Sequence, residues 1–348
     1  MKSNVLKFLQ REVELENIPG AVVKVSYKGE MLVQEAVGSR ISYPNPEPMQ
    51  LDTLFDLASL TKVVATLPVI MKLIQTGEIR LDDKVSFFLP SFRVNGKSAI
   101  TIRHLLTHTS GLPAHRPFYK ESWNTEEIIQ QICKEAPMNT IGEKVIYSDL
   151  GLILLYKLIE IITQEEFTTF VKREIFDPLH MTETGFNLPM EKERFAATVF
   201  SEKVASYKQG IVHDENAESM GGISGHAGLF STMKDVSRFA EMIESDGVYN
   251  GKEILPKSIL QLSRKNFTPF DEEYRGLGWI LKGQAGSSCG DLFSDTSYGH
   301  TGYTGTSLWF DPEIKLHVIL LTNRVHGKNQ EAILRLRPRL HNLIRSYF

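Results

Sequence analysis

Apolar residues follow two periods along this chain, a strand-like period near both ends and a helical period between them. Residues 21–27 and 31–37 are predicted strands joined by Lys28-Gly29-Glu30, which indicates a hairpin. Helical spacing predicts helices over 4–16, 59–76, 101–108, 125–135, 150–162, 164–175 and 330–347. Strands return near the C-terminus, over 276–281, 297–302, 306–310 and 316–322. Pro68 and Pro338 are expected to kink or interrupt their helices.

This order of elements predicts an α/β (α+β) fold with a single main sheet. We expect an antiparallel sheet flanked by helices and built from both chain ends, residues 1–80 and 228–348. The mostly helical section between them, residues 81–227, is then an inserted second lobe. Because active sites favour the crevice between lobes, the start of the helix at residue 59 is a candidate position for one.

Composition narrows the class of protein. The chain has 348 residues, 42% hydrophobic and 23% charged, with a net charge of −3, which gives no electrostatic case for a nucleic-acid partner. Cys133 and Cys289 lie far apart in no Cys-x-x-Cys context, as expected of reduced thiols. The N-terminus carries charges where a signal peptide needs an apolar run, and no stretch reaches the length of a membrane span. We therefore expect a cytoplasmic protein. We expect neither a cofactor nor a metal.

Ser59 and Lys62 form a Ser-x-x-Lys pair in the first turn of a predicted helix. Residues three apart on a helix are surface neighbours, so the hydroxyl and the amine lie within reach of each other. A hydroxyl becomes a good nucleophile when a neighbour takes its proton, and a lysine does this if its charged form is destabilised. The pair suggests covalent catalysis through an acyl-serine, although Ser59 is equally suited to be a simple N-cap.

A second copy of the pattern, Ser231 and Lys234, has a structural explanation. Thr232 followed by Asp235 forms a capping box at the start of an apolar helical stripe. The Ser-x-x-Lys pattern alone therefore does not identify a nucleophile, and other segments have to decide.

Two further segments could complete a serine hydrolase site. Tyr147-Ser148-Asp149 precedes the apolar helix at 150–162, where the phenol could share proton transfer with Lys62 or the segment could only cap the helix. Residues 299–305, Gly-His-Thr-Gly-Tyr-Thr-Gly, could let a substrate backbone lie alongside a strand and offer N–H groups to an oxyanion, or could form a glycine-rich edge or bulge.

Taken together and in this order, Ser59-Leu-Thr-Lys62, Tyr147-Ser-Asp149 and His300-Thr-Gly302 resemble the three signature elements of the class C β-lactamase and penicillin-binding-protein superfamily. The stretches 100–111, 221–231 and 302–311 resemble the same branch, so the resemblance covers nearly the whole chain. It implies Ser59 as the nucleophile. It also implies that Lys62 and Tyr147 manage the protons, without dividing the base role between them.

The resemblance also implies a substrate-binding set. The N–H groups of Ser59 and Tyr303 would form the oxyanion hole, while His300, Thr301 and Gly302 would line the substrate strand. Asp149 stands where class C enzymes have Asn, and His300 stands where β-lactamases and D-Ala peptidases have Lys. Both differences favour a neutral ester or amide over a carboxylate-bearing β-lactam, and they predict that activity depends on His300 ionisation near neutral pH.

Several alternatives stay open at this level. The segment 222–226 fails the Gly-x-Ser-x-Gly elbow because His226 occupies the last glycine position. His104 and His108 lack the Glu of His-Glu-x-x-His, so they are interpreted as structural. His213 and His226 could flank the site or belong to polar loops. The leading hypothesis is an esterase-like serine hydrolase acting on an ester, amide or peptide-like substrate. The alternatives are a D-Ala peptidase, a muropeptide amidase or a sensor that acylates once.

Overall fold

The computed structural model describes residues 1–348 and contains fourteen strands and eleven α-helices. The strands are β1 Gly20–Tyr27, β2 Glu30–Ile41, β3 Glu47–Pro48, β4 Phe55–Asp56, β5 Gly185–Phe186, β6 Phe200–Ser201, β7 Ser206–Tyr207, β8 Leu229–Ser231, β9 Val248–Tyr249, β10 Lys252–Glu253, β11 Ile280–Leu281, β12 Tyr298–Thr301, β13 Ser307–Asp311 and β14 Leu316–Thr322. The helices are α1 Lys2–Glu14, α2 Leu67–Gln75, α3 Val85–Phe88, α4 Ile102–Leu106, α5 Thr125–Lys134, α6 Asp149–Thr163, α7 Phe167–Val171, α8 Glu215–Ser219, α9 Met233–Glu244, α10 Lys257–Ser263 and α11 Ala332–Arg345.

The main sheet is antiparallel and draws its strands from both ends of the chain. Its seven strands follow the order β11-β12-β13-β14-β1-β2-β3, so β1 lies between β14 and β2. The predicted hairpin joins β1 to β2, with Lys28 and Gly29 both at positive φ, as a tight turn between twisted strands requires. The predicted fold class is confirmed, whereas the lobe boundaries at 80 and 228 stay a prediction.

Alternating side chains of β1 divide between two hydrophobic cores, one on each face of the sheet. Val23 and Val25 belong to a cluster of 18 buried residues that also contains residues of α1 and α11. Val22 points the other way, into a cluster of 61 buried residues that includes Leu154 of α6 and Phe310 of β13. The larger core therefore joins the sheet to the helices of the middle section.

The predicted helix 59–76 is a succession of three helical types. A 3₁₀ turn, Ala58–Leu60, leads through a π turn, Lys62–Thr66, into α2. Pro68 lies in the first turn of α2, where its missing N–H has no intrahelical partner to lose, and the helix changes type just before it. The 18-residue stretch Ala58–Gln75 is apolar and long enough to cross a membrane, which corrects the expectation that no stretch reaches that length. However, 78% of it is buried inside the fold, as in a core helix.

Two other element predictions are wrong in detail. Only Ile280–Leu281 of the predicted strand 276–281 pairs with a neighbour, because Gly278 adopts a φ of +71°, which a strand does not allow. Pro338 lies inside α11 but does not end it, since the helix continues to Arg345.

Candidate active site

Ser59 lies on a strained turn directly after β4. The preceding residue, Ala58, has a φ of +46°, a left-handed conformation that costs a non-glycine residue about 1 kcal/mol. The turn is held by Asp56, whose carboxylate accepts the Ala58 N–H at 2.8 Å and the His213 N–H at 2.6 Å. Strain of this kind persists only where the surrounding structure enforces it, and it presents Ser59 at the end of the strand.

Asp56 is a buried carboxylate with an altered acidity. Burial raises its pKa to about 6, against the two backbone hydrogen bonds, and the nearby Asp214 carboxylate adds to the rise. Asp56 therefore connects the turn that carries Ser59 to the loop at 213–214 through a group that titrates well above its usual range.

Lys62 is a fully coordinated ammonium. Its Nζ lies 2.8 Å from Ser59 Oγ, 3.0 Å from the His226 carbonyl oxygen and 2.8 Å from Asp149 Oδ1. The Ser59 oxygen and the His226 carbonyl accept hydrogen bonds from the ammonium, and the Asp149 carboxylate is its ion-pair partner. The side chain of Lys62 is 1% exposed, so water does not compete for these contacts.

The charge on Lys62 is stabilised rather than destabilised. Burial alone lowers the pKa of Lys62, but the Asp149 carboxylate and the Tyr147 phenol outweigh it and raise the pKa above its ordinary value. The expectation that a destabilised lysine takes the proton from Ser59 is therefore not met in this state. Lys62 donates to the Ser59 oxygen and leaves Tyr147 as the candidate acceptor.

The ring of Tyr147 lies among two cations and two imidazoles. Lys62 Nζ is 5.0 Å and the Arg275 guanidinium carbon 5.1 Å from its centroid. The rings of His108 and His300 have centroids at 4.6 Å and 5.9 Å. Cations at these distances interact favourably with the electron-rich face of an aromatic ring, so Tyr147 lies in a pocket of buried positive charge.

His300 is a neutral residue, which corrects the prediction of a titration near neutral pH. It is 1% exposed, and its Nδ1 lies 2.9 Å from the Thr301 carbonyl oxygen. Burial, followed by the positive charges of Lys62 and Arg275, holds the pKa of His300 well below its usual value. Because two cations already lie nearby, a third charge on His300 is unfavourable, and its protonation cannot account for a pH dependence between about 5 and 8.

The remaining predicted binding residues have different environments. Thr301 and Gly302 lie at the end of β12, beside the Ser59 turn. The side chain of Asp149 is 21% exposed and forms an ion pair with Lys62, so its main partner in the structure is the lysine and not an open binding cleft. Tyr303 is 57% exposed and its ring lies 5.4 Å from that of His213, whose pKa burial and Lys208 lower to about 4.

Two backbone N–H groups, one on the Ser59 turn and one on the turn after β12 that is tied to it, have no acceptor in the protein. The N–H of Ser59 and the N–H of Tyr303 donate to no backbone or side-chain atom. Thr304 Oγ1 donates to the Asp56 carbonyl at 2.7 Å and Thr306 Oγ1 to the Leu57 carbonyl at 3.0 Å, which fixes the turn after β12 against the chain that leads into Ser59. Unpaired N–H groups of this kind can stabilise an oxyanion.

The second Ser-x-x-Lys copy has the structural role expected of it. Thr232 accepts the N–H of Asp235 as the N-cap of α9, and Ser231 is fully buried against Thr184. The reciprocal half of the capping box is absent, because the Asp235 carboxylate accepts the N–H of Glu183 instead.

Sequence reasoning missed Arg275 and left His226 undecided. Arg275 is 6% exposed, and its only polar side-chain partner is Glu273, so no motif marks it. His226 contacts Ser224 Oγ at 2.8 Å and Asp214 at 2.9 Å, and its own carbonyl accepts from Lys62. A carboxylate–histidine–serine line thus holds the loop that faces the lysine.

Asp149, Asp214 and His226 are also near enough to one another to resemble a metal-ligand group. Their ligand atoms lie within 4.8 Å of one another. In this arrangement each has a protein partner already, Lys62 for Asp149 and the Asp214–His226 hydrogen bond for the other two. The Lys62 ammonium therefore balances the charge of Asp149, and His226 is the hydrogen-bond partner of Asp214.

The chain belongs to the beta-lactamase family, whose family model matches residues 7–341. It is 31% identical to the N-acetylmuramyl-L-alanine amidase of Bacillus subtilis (strain 168), over 92% of this chain and 80% of that protein. It is 30% identical to a protein of Escherichia coli (strain K12) named "Putative D-alanyl-D-alanine carboxypeptidase", over 93% of this chain and 78% of that protein.

Solved structures share the fold. EstCE1, a hydrolase with promiscuous acyltransferase activity, superposes with a TM-score of 0.79 and 22% identity, covering 97% of this chain and 98% of its own. A class C beta lactamase from Rhodobacter sphaeroides superposes with a TM-score of 0.75 and 18% identity, covering 97% and 99%. The protein is therefore an enzyme, a serine hydrolase of the beta-lactamase family, which confirms the resemblance and the class of enzyme predicted from the sequence.

Proposed function

We propose that the protein hydrolyses an ester or amide bond through an acyl-enzyme formed on Ser59. The observation that carries this proposal is the Lys62 ammonium, which holds the Ser59 hydroxyl oxygen at 2.8 Å on a turn next to two unpaired N–H groups. Nucleophile, charged partner and oxyanion donors are the parts that acyl transfer needs.

The proposed first step transfers the acyl group to Ser59. Ser59 Oγ attacks the carbonyl carbon while its proton passes to the oxygen of Tyr147, which enters this step as the phenolate and becomes the neutral phenol. The carbonyl oxygen takes the negative charge beside the N–H groups of Ser59 and Tyr303. Tyr147 then returns the proton to the departing alcohol or amine as the bond to it breaks. Lys62 Nζ and the Arg275 guanidinium carbon lie 5.0 Å and 5.1 Å from the centroid of the Tyr147 ring, and we propose that both charges support Tyr147 in this proton transfer.

The second step releases the acyl group to water. The Tyr147 phenolate removes a proton from a water molecule, whose oxygen attacks the acyl carbon. The bond between the acyl carbon and Ser59 Oγ then breaks, Tyr147 returns the proton to Ser59 Oγ, and the carboxylic acid leaves. We propose the same N–H pair for this oxyanion. The substrate strand carries the neutral His300 in place of a lysine. The site is therefore suited to a substrate without a carboxylate next to the scissile bond.

A muropeptide amidase is the second candidate, favoured by the amidase relative that matches 92% of this chain. A D-Ala peptidase is less well supported, because its substrate ends in a carboxylate that His300 in its neutral form would not hold. A panel of 4-nitrophenyl acetate, an N-acetylmuramyl-L-alanyl peptide and a D-alanyl-D-alanine peptide distinguishes the three. Steady turnover also separates an enzyme from a protein that acylates once.

The direct test is mass spectrometry of the intact protein after treatment with a fluorophosphonate and, separately, with penicillin. We expect one fluorophosphonate adduct per chain, on Ser59, and loss of that adduct in Ser59→Ala. Ser231→Ala is the matched control, since it removes the serine of the other Ser-x-x-Lys pair, and should label as the wild type does. A folded wild-type protein with no adduct on Ser59 from either reagent would refute the mechanism.

A further inference from the structure

Arg337 is a buried arginine of α11 whose partners are backbone carbonyls instead of a carboxylate. It is 4% exposed, and Nη2 donates to the Gly302 oxygen at 2.9 Å and to the Thr306 oxygen at 2.8 Å. Its Nε has no partner. Burial, and then the charge of Arg324, lower the pKa of Arg337 to about 9, and no acidic group contributes to offset this.

Such an arrangement is expensive in free energy. Burying an ion without an opposite charge costs several kcal/mol, more than two neutral hydrogen bonds usually return. A fold that needed only packing at this position would be served as well by an apolar residue of similar volume. The arrangement therefore calls for a role at the two carbonyls that Arg337 holds.

The Gly302 carbonyl belongs to the same peptide unit as the Tyr303 N–H. A trans peptide is planar, so its C=O and its N–H point in opposite directions. When Arg337 fixes the carbonyl on the side of α11, it also fixes the Tyr303 N–H on the other side. That N–H donates to no protein atom.

Gly302 itself lies against the Ser59 turn. A Cβ added to Gly302 would lie 2.5 Å from the Leu57 oxygen, so the chain at Gly302 is packed directly on the residues that precede Ser59. Gly302 N–H also donates to the Thr306 oxygen at 2.7 Å, which closes the turn between β12 and β13. Arg337 thus binds both carbonyls that define the turn.

The next peptide unit is held in the same manner. Arg324 Nε donates to the Tyr303 oxygen at 2.5 Å, and the guanidinium carbon lies 4.7 Å from the Tyr303 ring. Two arginines from two different elements therefore fix the carbonyls on both sides of one unpaired N–H.

We propose that Arg337 is a positioning residue for the oxyanion hole, which it orients by holding the Gly302 carbonyl so that the Tyr303 N–H points to the substrate oxygen. The proposal rests on the acyl-enzyme mechanism above. Arg337 does not touch the substrate, so its effect belongs to the tetrahedral state, in which the oxyanion forms, and not to binding of the neutral substrate.

The test compares Arg337→Met and Arg337→Lys with the wild type. Affinity for phenylboronic acid, which forms a tetrahedral adduct with a reactive serine, reports the oxyanion hole, while the KM for 4-nitrophenyl acetate reports the ground state. Losing an oxyanion donor lowers kcat roughly 100- to 1,000-fold. Misaligning one should therefore lower both kcat and the affinity for phenylboronic acid by about tenfold or more. KM should change by less than about threefold. Arg337→Lys keeps a donor and should restore most of both.

Arg339→Met is the matched control on the same helix. It removes an ion pair with the buried Glu12 carboxylate at 2.9 Å and perturbs α11 without touching the turn after β12. We expect it to lower stability while the ratio of phenylboronic acid affinity to KM stays at the wild-type value.

The outcomes separate the two proposals. If the folded wild type forms no adduct on Ser59 with either the fluorophosphonate or penicillin, the acyl-enzyme mechanism fails, and this inference with it. If Ser59 is labelled but folded Arg337→Met keeps wild-type kcat and phenylboronic acid affinity, only the role of Arg337 is overturned. Should Arg337→Met not fold by circular dichroism, Arg337→Gln, which can donate to one carbonyl, is measured in its place and judged by the same ratio.

Discussion

At the scale of single residues, the charge state of Lys62 is the most informative property of the site. It donates two hydrogen bonds, to Ser59 Oγ and to the His226 carbonyl, and the charge of the Asp149 carboxylate compensates for its burial. The Ser59 hydroxyl therefore accepts a hydrogen bond from Lys62, and the candidate acceptor for its proton is Tyr147. Arg275, His108 and His300 complete the surroundings of that ring.

Replacing Asp149 with Asn tests this assignment. Without the carboxylate, burial dominates and lowers the pKa of Lys62, so the ammonium is lost at a lower pH than in the wild type. If the ammonium is the active form, the alkaline limb of the kcat/KM profile should move to lower pH. At pH 8, activity should fall by about tenfold for each unit by which the pKa of Lys62 drops below 8.

Glu126→Gln is the control for the Asp149 experiment, because it removes the carboxylate of an exposed lysine pair, Glu126–Lys157, and should leave the profile unchanged. A gain of activity at neutral pH in Asp149→Asn would mean that neutral Lys62 is the base, and it would overturn the role given to the ammonium.

At the scale of elements, the Ser59 turn is positioned by contacts that are distant in sequence. Asp56 on β4 joins the turn to His213, and Thr304 and Thr306 tie it to the chain after β12. The loop at 224–226 closes over Lys62, since Thr66 Oγ1 donates to the Gly225 carbonyl and Lys62 to that of His226. Each element contributes one or two groups, and the site exists only where they meet.

Asp56 should make stability depend on pH. Its pKa is about 6 in the folded protein and 3.8 when unperturbed, so the folded state binds the proton more tightly than the unfolded chain. Its contribution is therefore complete below pH 4 and is lost as pH rises to about 6, by on the order of 3 kcal/mol. Asp56→Asn should remove this decline from urea-unfolding free energies measured between pH 4 and 7.

Asp177→Asn is the control for Asp56, since Asp177 is exposed and paired only with Lys172 at the surface. If wild type and Asp56→Asn lose stability in parallel over the whole range, Asp56 is not the titrating group.

At the scale of the whole molecule, the larger core joins the two predicted lobes. Val22 and Phe310 of the sheet belong to the same cluster of 61 buried residues as Leu105 and Leu154 of the helical section. Apolar side chains that share one core lose their packing together. The lobes therefore should not unfold independently.

Calorimetry checks this expectation. We expect one endotherm with equal calorimetric and van't Hoff enthalpies at pH 7, where Asp56 is largely ionised. Two resolved endotherms, or a van't Hoff enthalpy well below the calorimetric one, would show that the section 81–227 unfolds as a separate unit.

The periodic segments of the fold could be predicted from sequence, because local patterns determine them. The strand 316–322 has the predicted bounds. The helix α5 ends one residue earlier than predicted, and α6 is one residue longer at each end. The prediction of a strand at 276–281 failed because Gly278 has a left-handed φ and its N–H donates to the Leu106 carbonyl at 2.8 Å, a partner far away in the sequence.

The sequence alone determined the enzyme family and the three motifs, since Ser59, Tyr147 and His300 occur in a specific order that few chains share. Only the tertiary structure decided the charge states and the orientations of the groups in these motifs. It brought Asp149 to Lys62, Arg275 to Tyr147 and Arg337 to the Gly302 carbonyl. Ionisation and orientation depend on burial and on partners that the fold supplies from distant segments, and no local pattern encodes those.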